Sequence, residues 1–232
     1  MIIVPSQPAY ALGLKDKDLE LKIIQVLKDH PEVILESVET YQQQQYEAQQ
    51  EEQRAYLKAV QSNPEQLIGQ SPVTSDVKGK VLMVEFADFQ CPYCAVAHTD
   101  LKAFVDDHAD EVALVYKHFP LVSIHSEAMP AAQAAWAAGQ QGKFWEYHDL
   151  LFKQQENLDN TIVVALAESL NLEMEQFNRD RTSNAATEAI NQDMQLAQKL
   201  GIDGTPFLVM GNQVMSGAVE RKVLEETLAS QM

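Results

Sequence analysis

Two cysteines stand three positions apart, at Cys91 and Cys94, and the 232-residue chain has no others. An apolar run over residues 81–86 leads into them, and a helical pattern over about 95–105 follows. This order places Cys91 at a helix N-terminus, where unpaired backbone N–H groups and the positive end of the helix dipole favour a thiolate over a thiol. Such a position can lower a cysteine pKa from ~8.5 into the range of roughly 3.5–7.5. Pro92 suits the first helical turn, where the missing amide hydrogen is no loss.

The spacing of the pair lets Cys94 close a disulfide with Cys91. We therefore predict thiol–disulfide exchange, with Cys91 as the attacking thiol, Cys94 as the resolving thiol and no cofactor beyond their redox-active disulfide. Two alternatives stay open. A structural zinc ion requires four ligands, and no second C-x-x-C or H-x-x-x-H is present, so no metal site is predicted. A purely structural disulfide would close a loop so short that it removes little unfolded-state entropy.

Composition limits the classes of partner. A net charge of −17 argues against nucleic acid, whose phosphates would be repelled. No run approaches the ~20 apolar residues of a membrane span, and 46% hydrophobic residues suffice for an ordinary core. A poised cysteine pair fits an exported protein that acts on other proteins' disulfides, although it also fits a cytosolic redox protein.

The first residues suggest export. Residues 1–4 are apolar, and Ala9-Tyr10-Ala11 has the small-x-small form of a signal-peptidase site. There is no basic segment, and the apolar run is short. We interpret residues 1–11 as the remnant of a signal peptide, with an ordinary disordered terminus as the alternative. The corresponding location is the periplasm or another extracytoplasmic compartment.

Residues 12–72 predict an N-terminal helical extension. Leu19, Ile23, Val26 and Leu27 recur at helical spacing, and Pro31 begins a second helix that runs into a Gln- and Glu-rich stretch. A helix with so narrow an apolar stripe pairs with copies of itself, lies on the main domain or forms a mobile stalk. Of these we favour a homo-oligomer formed through residues 12–60.

Residues 73–232 predict a second, α/β domain. The pattern is strand, helix, strand, then a helical block over about 126–200, then two short strands and a helix. Proline and glycine signals at 63–64 and 69–72 separate this domain from the extension.

Four motifs in this domain carry a family resemblance. They are Phe86-Ala87-Asp88-Phe89-Gln90-Cys91-Pro92-Tyr93-Cys94, Lys117-His118-Phe119-Pro120-Leu121, Lys143-Phe144-Trp145-Glu146-Tyr147-His148 and Gly204-Thr205-Pro206-Phe207. Together they resemble the DsbA-like family of bacterial envelope thiol–disulfide oxidoreductases. The resemblance implies a thioredoxin-like fold with an inserted helical subdomain. The front block, including residues 29–36, resembles more loosely the extension of ScsC-type members, some of which are trimeric isomerases.

The resemblance also implies roles for individual residues. Pro206 matches the family's cis-proline, which would leave the Thr205 backbone free to pair with an extended substrate segment; a trans turn is the alternative. Pro92 and Tyr93 lie between the cysteines, where the family tunes acidity and potential. A neutral Tyr93 cannot supply the positive charge of an imidazolium, and Thr205 before the proline is shared with isomerase-type members.

Glu85 lies six residues before Cys91 and would point inward if its neighbours on the strand face the other way. A partly buried acid there could carry the Cys94 proton during exchange, and a salt-bridged or exposed carboxylate is the alternative. His98 is interpreted as an exposed helix histidine, and the sequence does not decide whether His118 and His125 lie near the site. We assign Trp136, Phe144 and Trp145 to packing within the insertion.

The predicted function is oxidation of exported proteins that bear cysteines, with a membrane or soluble partner that reoxidises the pair. The alternative within this class is an oligomeric isomerase or reductase of the ScsC type. A protein of another class would use the two thiolates as ligands for copper(I) or zinc, or act as a chaperone.

Overall fold

A computed structural model describes residues 17–62 and 67–231. The chain divides into two compact units, Met1–Gln50 and Glu51–Met232. The helices are α1 (Lys17–Asp29), α2 (Pro31–Ser62), α3 (Pro92–Asp107), α4 (Ala128–Gly139), α5 (Phe144–Lys153), α6 (Asn160–Ser169), α7 (Met174–Arg181), α8 (Asn184–Lys199) and α9 (Arg221–Ala229). The strands are β1 (Val81–Ala87), β2 (Val112–His118), β3 (Phe207–Met210) and β4 (Gln213–Ser216).

The described residues of the first unit, 17–50, are helical apart from the break at His30, as predicted. Helix α1 ends at Asp29 and α2 begins at Pro31, so the predicted break between them is present. None of the residues of α1 is buried. The predicted signal-peptide remnant at residues 1–11 lies outside the described residues.

The second unit is built on a mixed sheet with the strand order β2-β1-β3-β4. Strand β1 pairs in parallel with β2, while the β1–β3 and β3–β4 pairs are antiparallel. A parallel pair needs a crossover connection, and α3 supplies it. The order β-α-β, helices, β-β-α is the thioredoxin-like topology that the sequence predicts.

Alternation along β1 sends its side chains to two different cores. Val84 and Phe86 pack on one face with residues of α8 and the segment after it. Met83 packs on the other face with α3 and α9, among them Leu101 and Leu224. Glu85 lies between Val84 and Phe86 in the chain and is 2% exposed, so the alternation places its carboxyl on the α3 face.

The insertion runs from α4 to α8 and forms its own core. Small and large side chains are combined there: the alanines of α4 pack against Tyr147, Leu151 and Phe177, which are all fully buried. This cluster continues to Cys91 and Cys94. The insertion therefore contributes one wall of the redox site.

Residues before position 73 also pack within the second unit, and the domain boundary at residues 72 and 73 remains a prediction. Leu67 is 1% exposed and packs in the cluster that contains Val84 and Phe86. Gln53 donates its side-chain amide to the carbonyl of Leu200 at 3.0 Å. The Gln53–Leu200 contact joins residues 147 positions apart, so local proline and glycine signals do not report it.

Candidate active site

The two cysteines lie at the start of α3. Cys91 is the N-cap, with an extended backbone, and Pro92 occupies the first turn. Cys91 is 4% exposed and Cys94 is 0% exposed, and both are free thiols in this structure. Tyr93 points outward at 65% exposure. A reactant in solution can therefore approach Cys91 and has no direct access to Cys94.

The acidity of the two thiols is strongly unequal. The hydrogen bond from the Cys94 thiol lowers the pKa of Cys91 to about 5, with partial burial working against it and the backbone amides of Tyr93 and Cys94 adding to it. Burial raises the pKa of Cys94 well above its usual range. Thiolate at neutral pH is thus concentrated on Cys91, the accessible sulfur.

Thr205 faces Cys91 from the loop before β3. Its carbonyl oxygen lies 3.3 Å from Cys91 Sγ. The Thr205–Pro206 peptide bond is cis. The structure thus brings Thr205 and Pro206 to the cysteine pair, and their part in substrate binding remains a prediction.

Glu85 is buried in β1, within electrostatic range of Cys94, and has an unusual proton affinity. Burial raises its pKa to about 8, and its Oε1 atom has no hydrogen-bond partner in the part of the chain that the structure describes. Its negative charge is one of the causes that raise the pKa of Cys94. An acid with a pKa near neutrality, close to a buried thiol, has the properties of a proton carrier for that thiol.

Asp88 holds the loop before Cys91 in place and was missed by sequence reasoning. Its Oδ1 accepts from the Gln90 amide at 2.7 Å, while its Oδ2 accepts from the Leu121 amide at 2.9 Å and lies 2.7 Å from His125 Nδ1. Its own amide lies 3.5 Å from Cys94 Sγ. An Asp that bonds the amide two residues on forms a recognisable turn, and this signal could have identified it.

Gln155 connects the insertion to the redox loop. Its side-chain amide donates to the carbonyl oxygens of Phe89 and Cys91, both at 2.8 Å. It lies in the short 3₁₀ helix Gln155–Asn157, which follows α5. No local sequence signal distinguishes this glutamine from the others in the chain.

The histidines do not all lie where the sequence suggested. The interpretation of His98 as an exposed helix residue is wrong: its side chain is 17% exposed and stacks on Phe152, with ring centroids 4.9 Å apart. Residues of α5 cover it, and that packing is not visible from α3 alone. His118 is 2% exposed among Phe89, Tyr116 and Phe144.

His125 does reach the site, through its contact with Asp88. The aromatic residues assigned to packing in the insertion are buried or partly buried against its core. Trp145 also donates its indole N–H to the carbonyl of Val73 at 3.2 Å.

A thioredoxin-like sheet with an inserted helical subdomain and an acidic cysteine at a helix N-terminus define a thiol–disulfide oxidoreductase fold. The family model of the DSBA-like thioredoxin domain matches residues 83–229. This match spans more than half of the chain, and the protein belongs to that family. The resemblance read from the sequence is confirmed.

Solved structures that resemble this chain have the same fold. A thioredoxin-like oxidoreductase from Silicibacter pomeroyi DSS-3 is 34% identical, with a TM-score of 0.64 over 73% of this chain and 97% of that chain. ScsC from Proteus mirabilis, in a transitional conformation, is 25% identical, with a TM-score of 0.65 over 93% of this chain and 95% of that chain. The catalytic domain of the same ScsC covers only 75% of this chain.

Curated relatives that match this chain are named as sodium/proton antiporters and not as oxidoreductases. The Na(+)/H(+) antiporter NhaA 3 of Salinispora tropica is 35% identical over 165 residues, which is 69% of this chain and 25% of the relative. The chain thus spans about a quarter of the length of such relatives. Among the helices of the described residues, none has the length and apolar character to cross a membrane.

Proposed function

We propose that the protein oxidises thiols of exported proteins to disulfides, using the Cys91–Cys94 disulfide as the oxidant. A substrate thiolate attacks Cys91 Sγ, the Cys91–Cys94 bond breaks and a mixed disulfide forms. Cys94 leaves with the electron pair and takes up a proton. A second substrate thiolate then attacks the substrate sulfur of the mixed disulfide and releases Cys91 as thiolate, so the substrate loses two electrons and the cysteine pair gains them.

The observation that supports this direction is the unequal acidity of the two thiols. A thiol with a low pKa is a good leaving group, so the last step, in which Cys91 departs, is favoured. Stabilising the Cys91 thiolate also stabilises the reduced protein, and a stable reduced form makes the disulfide a stronger oxidant.

Glu85 supplies the proton for Cys94 in this proposal. Cys94 cannot remain a thiolate in its buried position, because burial raises its pKa. Glu85 is protonated at neutral pH, since its own pKa is about 8. Transfer from its carboxyl to the departing sulfur therefore neutralises Cys94 without requiring bulk water to reach it.

The compartment and partners follow from the same proposal. Substrates are exported proteins with free cysteines, in the periplasm or another extracytoplasmic space, and an oxidised membrane or soluble partner must restore the disulfide. The proposed function does not draw on the antiporter name of the curated relatives, because those proteins are about four times as long as the matched region.

Oxidation of reduced ribonuclease tests the proposal. The oxidised full-length protein should restore ribonuclease activity in stoichiometric amounts, and Cys91→Ser should reduce the rate to that of the buffer. Cys94→Ser cannot form the oxidising disulfide and should also lose this activity. When it is mixed with scrambled ribonuclease instead, its Cys91 thiolate should attack a substrate disulfide, release one substrate sulfur as thiolate and remain in a mixed disulfide that a non-reducing gel detects. Full turnover by Cys91→Ser would overturn the proposed role of the pair.

An oligomeric isomerase is the second candidate, and two observations favour it. The apolar side chains of α1 are exposed, and the match to ScsC extends over 93% of this chain, beyond the part covered by the ScsC catalytic domain. Several redox sites held around one misfolded client would favour reshuffling over net oxidation. Large exposed apolar surfaces usually mark a protein interface.

Reactivation of scrambled ribonuclease in a glutathione buffer separates the two candidates. An isomerase should be active as the full-length protein and lose that activity in the variant Ile23→Asp/Val26→Asp, which places charges on the exposed stripe. Absence of activity in both proteins, with rapid oxidation of reduced ribonuclease by both, would leave the oxidase as the function.

A further inference from the structure

Three metal-ligating side chains meet in a cavity behind the redox helix. His98 comes from α3, while His148 and Asp149 come from α5. They line a cavity of about 240 Å³ whose wall also includes Glu85 and Lys102. The three residues lie on two helices about fifty positions apart, so no local spacing in the sequence predicts a metal site there.

The distances between these donors are close to those of a metal coordination shell. His98 Nε2 lies 3.5 Å from Asp149 Oδ1, and His148 Nδ1 lies 3.2 Å from the same oxygen. A nitrogen of each ring and a carboxylate oxygen all lie within 4.8 Å of one another. In a tetrahedral zinc site, with Zn–N and Zn–O bonds near 2.0–2.2 Å, neighbouring ligand atoms are about 3.3 Å apart. The distances from His98 Nε2 and His148 Nδ1 to Asp149 Oδ1 are already close to this value.

The donor types also suit a cation, because a neutral imidazole offers one lone pair and a carboxylate offers several. In the metal-free protein His148 Nδ1 is within hydrogen-bond distance of Asp149 Oδ1, at 3.2 Å. A metal ion bound to that nitrogen would replace this contact and release its proton.

Lys102 is the charged group that faces the site. Its Nζ lies 3.3 Å from Asp149 Oδ2, which is not the oxygen that faces the two rings. Its side chain is 50% exposed and also contacts Asp106, so it can remain on Oδ2 or move into solvent while Oδ1 binds a metal. The cavity leaves space for a water molecule as fourth ligand, because such a molecule needs only ~10–15 Å³ of accessible volume.

We propose that His98, His148 and Asp149 form a binding site for a divalent transition metal, with zinc the best-fitting ion. Two imidazole nitrogens and one carboxylate oxygen form a donor set that zinc accepts, and the fourth position is open to water. Neither cysteine is a ligand in this proposal, although Glu85, the proton donor of the proposed redox mechanism, lines the same cavity.

Another histidine with two carboxylate neighbours provides a matched control. His108 also contacts two carboxylates, but Glu111 lies at its Nδ1, 3.3 Å away, and Glu225 lies at its Nε2, 2.8 Å away. The two ring nitrogens point in opposite directions, so one ion cannot be held by both carboxylates and the ring. Loss of His108 should leave metal binding unchanged.

Calorimetric titration of the full-length protein with zinc chloride tests the site. The protein is first oxidised, so that the cysteine thiolates cannot bind metal, and is stripped with a chelator. We expect one equivalent of zinc, and His98→Ala or Asp149→Asn should weaken binding by at least about tenfold, as loss of even an outer-shell partner does. Lys102→Met should tighten binding, because it removes a competing cation from Asp149.

Cobalt(II) provides a second measurement in the same proteins. Its visible absorption reports coordination number, and an intense tetrahedral spectrum that is lost in His98→Ala is expected. His148 is not substituted because it is 2% exposed, and thermal unfolding of the two chosen variants checks that they fold. Wild-type affinity in either variant, absence of stoichiometric zinc binding in the wild type, or loss of binding in His108→Ala would each overturn the proposal.

Discussion

The two compact units place similar side chains in opposite environments. In α1, leucine, isoleucine and valine recur at helical spacing and remain exposed, with Ile23 at 50%. In the unit Glu51–Met232 the same residue types fill three buried clusters, with Leu67 at 1%. The periodicity of apolar residues therefore indicates that one face of a helix is suited to burial against another surface. It does not indicate whether that surface belongs to the same chain.

Placing charges on the exposed apolar stripe of α1, which consists of Leu19, Ile23, Val26 and Leu27, has the largest expected effect. If copies of the chain cover α1, the variant Ile23→Asp/Val26→Asp should convert an oligomer to a monomer, because a buried unpaired charge is costly at an interface. Light scattering after gel filtration gives the mass. Gln25→Asp, on the opposite side of α1, should leave the mass unchanged. A monomeric wild type would show that the stripe has another use.

Truncation of one leucine and one isoleucine compares the two units directly. Leu67→Ala should lower the free energy of unfolding of the second unit by about 2–5 kcal/mol, because it leaves a cavity in a closed core. Ile23→Ala should change it by less than about 0.5 kcal/mol. Tryptophan fluorescence in urea follows this unit alone, since Trp136 and Trp145 both lie in it. Equal effects of the two variants would contradict the comparison.

Glu85→Gln tests the buried acid within the second unit. Between pH 4.5 and 8 the Glu85 carboxyl keeps its proton in the folded chain but has lost it in the unfolded chain. As the pH rises through this range, the free energy of unfolding of the wild type therefore falls by about 1.4 kcal/mol per pH unit. At pH 7 the variant should be about 3 kcal/mol more stable. Urea unfolding of the oxidised proteins at several pH values measures the difference, and parallel pH profiles would contradict the raised pKa.

The Cys91 thiolate gives the most local effect, because its titration is read at a single sulfur atom. Its pKa is lowered from 9.0 to about 5, so the stability that it contributes is fully present above pH 9 and is lost as the pH falls to 5. Absorbance of the reduced protein at thiolate wavelengths should show a midpoint near pH 5. Ile23→Asp/Val26→Asp should leave this midpoint unchanged, and a shift would mean that the first unit influences the redox site.

The sequence predicts local features well. The position of Cys91 at a helix N-terminus, the start of α2 at Pro31 and the inward direction of Glu85 depend on neighbouring residues and on strand alternation. The burial of His98 and the reach of Gln155 to the Cys91 carbonyl depend on α5 and the segment after it. These contacts arise from packing between distant segments, which no local pattern encodes.

The complete burial of Cys94 has an analytical consequence. To a water-soluble alkylating or aromatic disulfide reagent, the folded reduced protein presents a single reactive sulfur, Cys91, although the sequence contains two. A thiol count made before and after addition of denaturant should rise from one to two. The second thiol thereby becomes a reporter of unfolding that is part of the protein itself and requires no attached label.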